Sequence, residues 1–190
     1  MVRNDGSNTN EEVFWKYFSA SLGCDARQDE PLFKEFYKNE FQSVRKACGF
    51  TSTPAMLVKE LKSKGFRVVL ATNPLFPAIA THSRILWAGM SPDNFDLVTT
   101  YENSRYCKPN PDYYRDVLRQ LNATAEECIM IGNDVSEDMV AQQLGIKVFL
   151  LTDCLINKEN KDITLYPHGG FTELFAFINE LIRSTLPIPI

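Results

Sequence analysis

From residue 51 onward the chain alternates short apolar, β-branched runs with amphipathic stretches that carry helix start and stop signals. This alternation constrains the fold more than any other feature. Strand-sized runs lie at 66–71, 95–99, 128–131 and 146–151, and helical stretches at 53–64, 77–89, 110–121, 136–144 and 171–182. A strand that is apolar throughout must be buried on both faces, and intervening helices provide that cover. The order predicts a parallel sheet with helices on both sides, a doubly wound α/β fold. Its boundaries are chemical. Thr53-Pro54 and Asn110-Pro111 are cap and first-turn pairs, while Gly65, Gly89 and Gly145 stand where helices stop. The charged and glycine-containing stretch 153–170 reads as a loop.

The first fifty residues read differently. Thr9 and Glu12 have capping-box spacing, and Val13, Phe14, Tyr17, Phe18 and Leu22 form an apolar stripe ending near Gly23. Pro31 opens a second helix bearing Leu32, Phe33, Phe36, Tyr37, Phe41 and Val44. Two such helices cannot bury all these rings against each other alone, so they are expected to pack over something else. The division expected is a helical segment over 1–50 and an α/β core over 51–190.

Composition narrows the function classes. The formal charge is −4, from 20 Lys+Arg and 24 Asp+Glu, which argues against a nucleic-acid or basic membrane-surface binder. No window approaches the roughly 20 apolar residues that cross a bilayer, and the polar start MVRNDGSNTN has no signal-peptide core. Cys24, Cys48, Cys107, Cys128 and Cys154 form no C-x-x-C pair, which favours free thiols in a reducing compartment, so a cytoplasmic protein is expected. His82 and His168 are read as structural, and Trp15 and Trp87 as packing residues. No G-x-G-x-x-G follows a strand, so a dinucleotide-binding domain has no support.

Ligands of doubly wound folds sit at the carboxyl ends of the strands, and three strand ends carry polar chemistry. The first ends in Thr72-Asn73-Pro74, where a hydroxyl and following N–H groups suit an anionic oxygen; capping the next helix is the plainer role. The second leads to Lys108-Pro109-Asn110-Pro111, a lysine in stiffened backbone before a helix, suited to phosphate or carboxylate. The third runs into Gly132-Asn133-Asp134-Val135-Ser136-Glu137-Asp138. Asp134 and Asp138, four apart, can converge at the turn and offer hard oxygens to Mg²⁺. Helix capping accounts for Ser136, Glu137 and Asp138, but less well for Asp134 and its preceding glycine.

In this order, hydroxyl, lysine and acidic cluster at successive strand ends, the chain resembles the haloacid dehalogenase superfamily of phosphohydrolases. The resemblance covers about residues 51–185 and implies that family's Rossmannoid core, with 1–50 as the later part of its helical cap. It further implies that Thr72 hydrogen-bonds the transferring phosphoryl group, with Asn73 beside it. Lys108 would neutralise charge on nucleophile and phosphate, and Asp134 and Asp138 would hold Mg²⁺. Asn133 is one residue more than the usual Gly-Asp opening.

The family's first motif, an Asp-x-Asp on an apolar strand before the cap, has no counterpart. Asp5-Gly6-Ser7 follows Val2-Arg3-Asn4, which is no apolar strand. The nucleophile is therefore missing, and with it the strand that lies mid-sheet in that family. The expectation is that the chain is a truncated piece of a longer protein and inactive alone. The gap could be closed by direct pairing of neighbouring strands, by a donated segment, or by a strand-swapped or other homo-oligomer. The function expected of the intact lineage is a Mg²⁺-dependent phosphatase of small phosphorylated metabolites. The alternative is a non-catalytic protein binding phosphate or a partner. A receiver domain would need an acceptor aspartate on a central strand, and none is present.

Overall fold

The computed structural model describes residues 1–185. The chain forms two compact units, Met1–Cys107 and a second beginning at Lys108.

In the first unit, helix α1 (Asn10–Leu22) starts at the anticipated capping box and stops at Gly23, whose φ of 68° suits a residue without a Cβ. Helix α2 (Glu30–Lys38) is shorter than the sequence pattern suggests. The chain breaks at Asn39 and resumes as 3₁₀ turns over Glu40–Ala47. The cause is tertiary. Gln42 donates to the Tyr37 carbonyl and to Ser83, and accepts from Trp87 Nε1, while Phe41 packs on Trp87 with centroids 5.2 Å apart. A continuous helix would leave those partners unmet. The rings of α1 and α2 also pack on one another more than expected. Phe33 meets Trp15 at 5.2 Å and Phe18 at 5.7 Å, and Phe14 reaches Tyr101 at 6.3 Å.

Helix α3 (Thr53–Ser63) precedes strand β1 (Val69–Leu70), and helix α4 (Ala78–Trp87) precedes strand β2 (Leu97–Val98). The two strands pair in parallel, Val69 with Leu97 and Leu70 with Val98. They are shorter than the runs at 66–71 and 95–99: at the start the Asp96 amide still donates to the Val68 carbonyl at 2.7 Å, but the Val68 amide turns to a side chain. The Asp96 carboxylate accepts from the Val68 amide at 2.7 Å and from Lys62 Nζ at 2.8 Å. That lysine, then that amide, hold its carboxyl below the usual range. Beneath the strand ends Asn10 is fully buried, its amide donating to the carbonyls of Pro74 and Tyr106 and to Cys107 Sγ and accepting from Asn4.

In the second unit, helix α5 (Pro111–Leu121) is capped by Asn110, as its sequence indicates. Strands β3 (Ile129–Gly132), β4 (Lys147–Leu151) and β5 (His168–Gly169) form a parallel sheet with β4 central, and helix α6 (Phe171–Thr185) follows. Ile129 registers with Lys147 and Leu150 with His168. Val148, Phe149 and Leu150 are buried, as a central strand requires. Two readings are corrected here. His168 lies on β5 rather than in a loop; a two-residue strand leaves no apolar run, and its pairing comes from Leu150 N–H to Pro167 O and Thr152 N–H to Gly169 O. The helix expected over 136–144 is a turn followed by 3₁₀ structure at Met139–Leu144. The amides of Ser136 and Glu137 bond the Asp134 carboxylate instead of opening a regular helix.

Candidate functional site

Strand β3 delivers the acidic cluster to its carboxyl end, where the two aspartates are held in different ways. Asp134 Oδ1 accepts from the amides of Ser136 and Glu137, both at 2.9 Å. Its other oxygen has no hydrogen bond among the described residues. Asp138 turns back beneath the strand. Its Oδ2 accepts from the Asp134 amide at 3.0 Å, and its own amide donates to the Asp134 carbonyl at 2.9 Å. This approach needs Gly132: a Cβ there would lie 2.4 Å from the Asp138 Cβ and 2.2 Å from Oδ2. The glycine in the motif is thus a packing requirement, and its φ is not left-handed.

Lys108 completes the cluster. Its Nζ is 2.6 Å from Asp138 Oδ1, and both side chains are almost fully buried, at 5% and 7% exposure. The lysine head also sits 5.6 Å from the Tyr113 ring centroid and 5.7 Å from that of Tyr114. Two ring faces and a carboxylate so close attract a cation in a site of low water content. Tyr114 further donates its hydroxyl to the Glu137 carbonyl at 2.7 Å. Burial first, then the negative charge of Asp138, push the Tyr114 phenol far above its ordinary value. It is therefore a donor throughout the physiological range.

On the outer side, the segment after β4 clasps the same loop. Asn133 Nδ2 donates to the Cys154 carbonyl at 2.6 Å, Ile156 N–H to Asn133 O, and Val135 N–H to Ile156 O. Ser136 Oγ donates to Glu159 and accepts from Lys161. The additional Asn133 that separates Gly132 from Asp134 is therefore used as a tie.

Thr72 and Asn73 belong to the first unit, after β1. Thr72 Oγ1 donates to the Thr99 carbonyl at 3.0 Å, and Thr99 Oγ1 returns a bond to the Thr72 carbonyl at 3.0 Å. The Asn73 carbonyl accepts from Leu75 N–H in a tight turn. The Ala78 amide at the start of α4 meets both carboxylate oxygens of Glu102, at 2.8 and 3.1 Å, a residue the sequence reading passed over. Next to this turn lies a recess of about 400 Å³ whose walls include Phe14, Trp15, Phe33, Tyr37, Tyr101 and Leu75.

Burial, reinforced by Glu11 and Glu102, pushes the Tyr101 phenol up to about 12. An unfolded tyrosine ionises near 10. The raised folded value means this stabilising contribution is complete below about pH 10 and is lost progressively as pH rises toward 12. A spectrophotometric titration that follows tyrosinate absorption checks this. Tyr101→Phe is expected to remove one late-ionising phenol from the folded protein and to flatten its loss of stability at alkaline pH.

Of the residues singled out from sequence, the structure brings Lys108, Asp134 and Asp138 together at the end of β3. It places Thr72 and Asn73 after β1. The sequence reading missed Tyr113 and Tyr114. The available signal was their position in the first turn of α5, directly after the capped Asn110-Pro111 start. Among the described residues no three His, Cys, Asp or Glu side chains gather as a complete metal-ligand set. No described helix is long and apolar enough to cross a membrane.

Comparison with known proteins agrees with this architecture. The family model for haloacid dehalogenase-like hydrolases matches residues 17–145. The chain belongs to that family. It is 28% identical over 166 residues to the glyceraldehyde 3-phosphate phosphatase of Methanothermobacter thermautotrophicus, covering 86% of this chain and 70% of that protein. It is 33% identical over 125 residues to the phosphoglycolate phosphatase of Colwellia psychrerythraea, covering 65% of this chain and 51% of that one. The chain thus spans about half the length of the latter relative. Among solved structures, a hydrolase from Pseudomonas syringae matches with a TM-score of 0.59 at 15% identity, over 93% of this chain and 80% of the other. A haloacid dehalogenase-family phosphatase from Thermococcus onnurineus matches at 0.51 and 15%, over 90% and 94%. At that identity these two establish the fold, a parallel α/β architecture.

Proposed function

We propose that this chain carries the cation- and phosphoryl-binding part of a Mg²⁺-dependent phosphatase of small phosphorylated metabolites. The observation that carries the reading is the division of labour at the end of β3. Asp138 is turned inward onto buried Lys108, while Asp134 is oriented by two backbone amides with one oxygen left over. A single oriented carboxylate suits Mg²⁺, which keeps several waters and commonly takes only one or two protein carboxylates. Asp134 would hold the ion, and Asp138 would add charge beside it while fixing Lys108. When bound, the ion would screen negative charge on a phosphoryl group.

The chain's own groups have the remaining roles. Lys108 contributes a fixed positive charge whose direction Asp138 and the two tyrosines set. In the first unit, Thr72 and Asn73 would bind a phosphoryl oxygen, Thr72 by turning its hydroxyl from the Thr99 carbonyl to donate to it. The two phosphatase relatives support phosphate esters as the substrate class. No soluble nucleic-acid or membrane partner is needed by this reading.

Covalent turnover needs an in-line carboxylate. No two aspartates in the 190 residues stand two apart, and Asp5 is exposed in a turn, accepting from Ser7 N–H and Oγ. That observation favours a second reading, a non-catalytic phosphate binder. Turnover of an aryl phosphate with Mg²⁺ separates the two. The 190-residue chain is expected to give none, and an upstream apolar strand bearing Asp-x-Asp is expected to restore it. Restored turnover that Asp134→Ala leaves untouched would sink the assignment of Asp134. Activity of the pure chain that Asp134→Ala removes would sink the non-catalytic reading.

A further inference from the structure

We infer that Tyr114 is a positioning residue for the acidic loop, acting through the Glu137 carbonyl to hold the Asp134 carboxylate in the orientation that binds a divalent cation. The inference rests on the reading of Asp134 as the cation ligand.

Three observations within the second unit carry it. Tyr114 is 3% exposed, and its hydroxyl donates to the Glu137 carbonyl at 2.7 Å. Glu137 is also the residue whose amide bonds Asp134 Oδ1 at 2.9 Å. One peptide's distance therefore separates the phenol's grip from the carboxylate it orients. The same ring packs 5.7 Å from Lys108 Nζ, and Lys108 is paired with Asp138, which holds the Asp134 amide through Oδ2. Tyr114 thus meets the turn at its Glu137–Asp138 end in two ways, through its hydroxyl and through its ring. Its ring lies beside the lysine–aspartate pair, and its hydroxyl holds the Glu137 carbonyl.

These two contacts are separable. Tyr114→Phe keeps the ring against Lys108 and removes only the hydroxyl, and with it the bond to the Glu137 carbonyl. A residue that serves packing alone would tolerate that change. A residue that positions the loop would not, because the Ser136 and Glu137 amides depend on the loop's shape to reach Asp134. Tyr113 provides the internal comparison. Its ring is just as close to Lys108, at 5.6 Å, so removing its hydroxyl is a matched deletion beside the same lysine that leaves the Tyr114–Glu137 bond in place.

The experiment compares the wild-type chain, Tyr114→Phe, Tyr113→Phe and Asp134→Asn by amide hydrogen exchange and by calorimetric titration with MgCl₂. Loss of one buried neutral hydrogen bond is worth roughly tenfold in a local equilibrium. Tyr114→Phe is expected to speed exchange at Ser136 and Glu137 by about that factor, with protection in α5 unchanged, and to weaken Mg²⁺ binding about tenfold. Tyr113→Phe is expected to change neither. Unaltered exchange at Ser136 and Glu137 in Tyr114→Phe overturns the inference, whatever the metal does. Faster exchange with unaltered Mg²⁺ affinity also overturns it, by confining Tyr114 to loop stability. If the wild-type chain bound no Mg²⁺, or Asp134→Asn bound it equally well, the reading of Asp134 and the inference resting on it would both fall. Failure of Tyr114→Phe alone leaves that reading standing.

Discussion

Gly132→Ala is expected to destabilise the second unit by about 3 kcal/mol and to release Asp138 from Lys108. The added methyl would lie 2.4 Å from the Asp138 Cβ and 2.3 Å from Cγ, far inside contact distance. These are not the far end of a flexible side chain, so rotation about the outer bonds cannot relieve the clash. Either β3 shifts away from its register with β4, or Asp138 leaves its place. The second costs the bond to the Asp134 amide and uncovers a buried cation. Urea denaturation, followed by a probe in the second unit, measures the loss. A Gly132→Ala protein with wild-type stability would show that Asp138 can be seated elsewhere, and the account of the loop would need to change.

Lys108→Met is expected to cost a similar or larger amount, about 3–5 kcal/mol, because it leaves the Asp138 carboxylate buried without its cation. Asp138→Asn should also be costly, because it removes the carboxylate that pairs with the buried ammonium. The double variant is the informative one. With both charges gone, the methionine stem fills the space beside the rings, and the asparagine still accepts from the Asp134 amide. The double variant is expected to be more stable than the sum of the single effects predicts, by about 2 kcal/mol or more. Strict additivity would mean that the 2.6 Å pair seen here contributes no coupling.

The sequence and the structure agree where the signal is local and periodic. Capping at Thr9 and Asn110, the stops at Gly23 and Gly145, and the parallel α/β order all follow from residues close together in the chain. The approach of Asp134 and Asp138 was legible for the same reason, as their spacing allows a single turn to join them. The different tasks of the two acids were not legible. They depend on which amides face which oxygen, and on whether a glycine 6 residues before Asp138 leaves room beneath the strand. The break at Asn39 and the pinning of the loop by Tyr114 depend on partners distant in sequence, as does the capping of α4 by Glu102. Strand β5 is too short to carry a pattern of its own.

The central claim is that Asp134 is the outward, cation-facing acid and Asp138 the inward, lysine-facing one. Calorimetric titration of Asp134→Asn with MgCl₂, alongside a denaturation curve, tests it most directly. Asparagine keeps the Oδ1 that accepts from Ser136 and Glu137, so the loop should retain its shape while losing its charge. The predicted result is loss of Mg²⁺ binding with stability close to that of the wild-type chain. Undiminished Mg²⁺ binding by Asp134→Asn would contradict the account, and so would a collapse in stability like that expected of Lys108→Met.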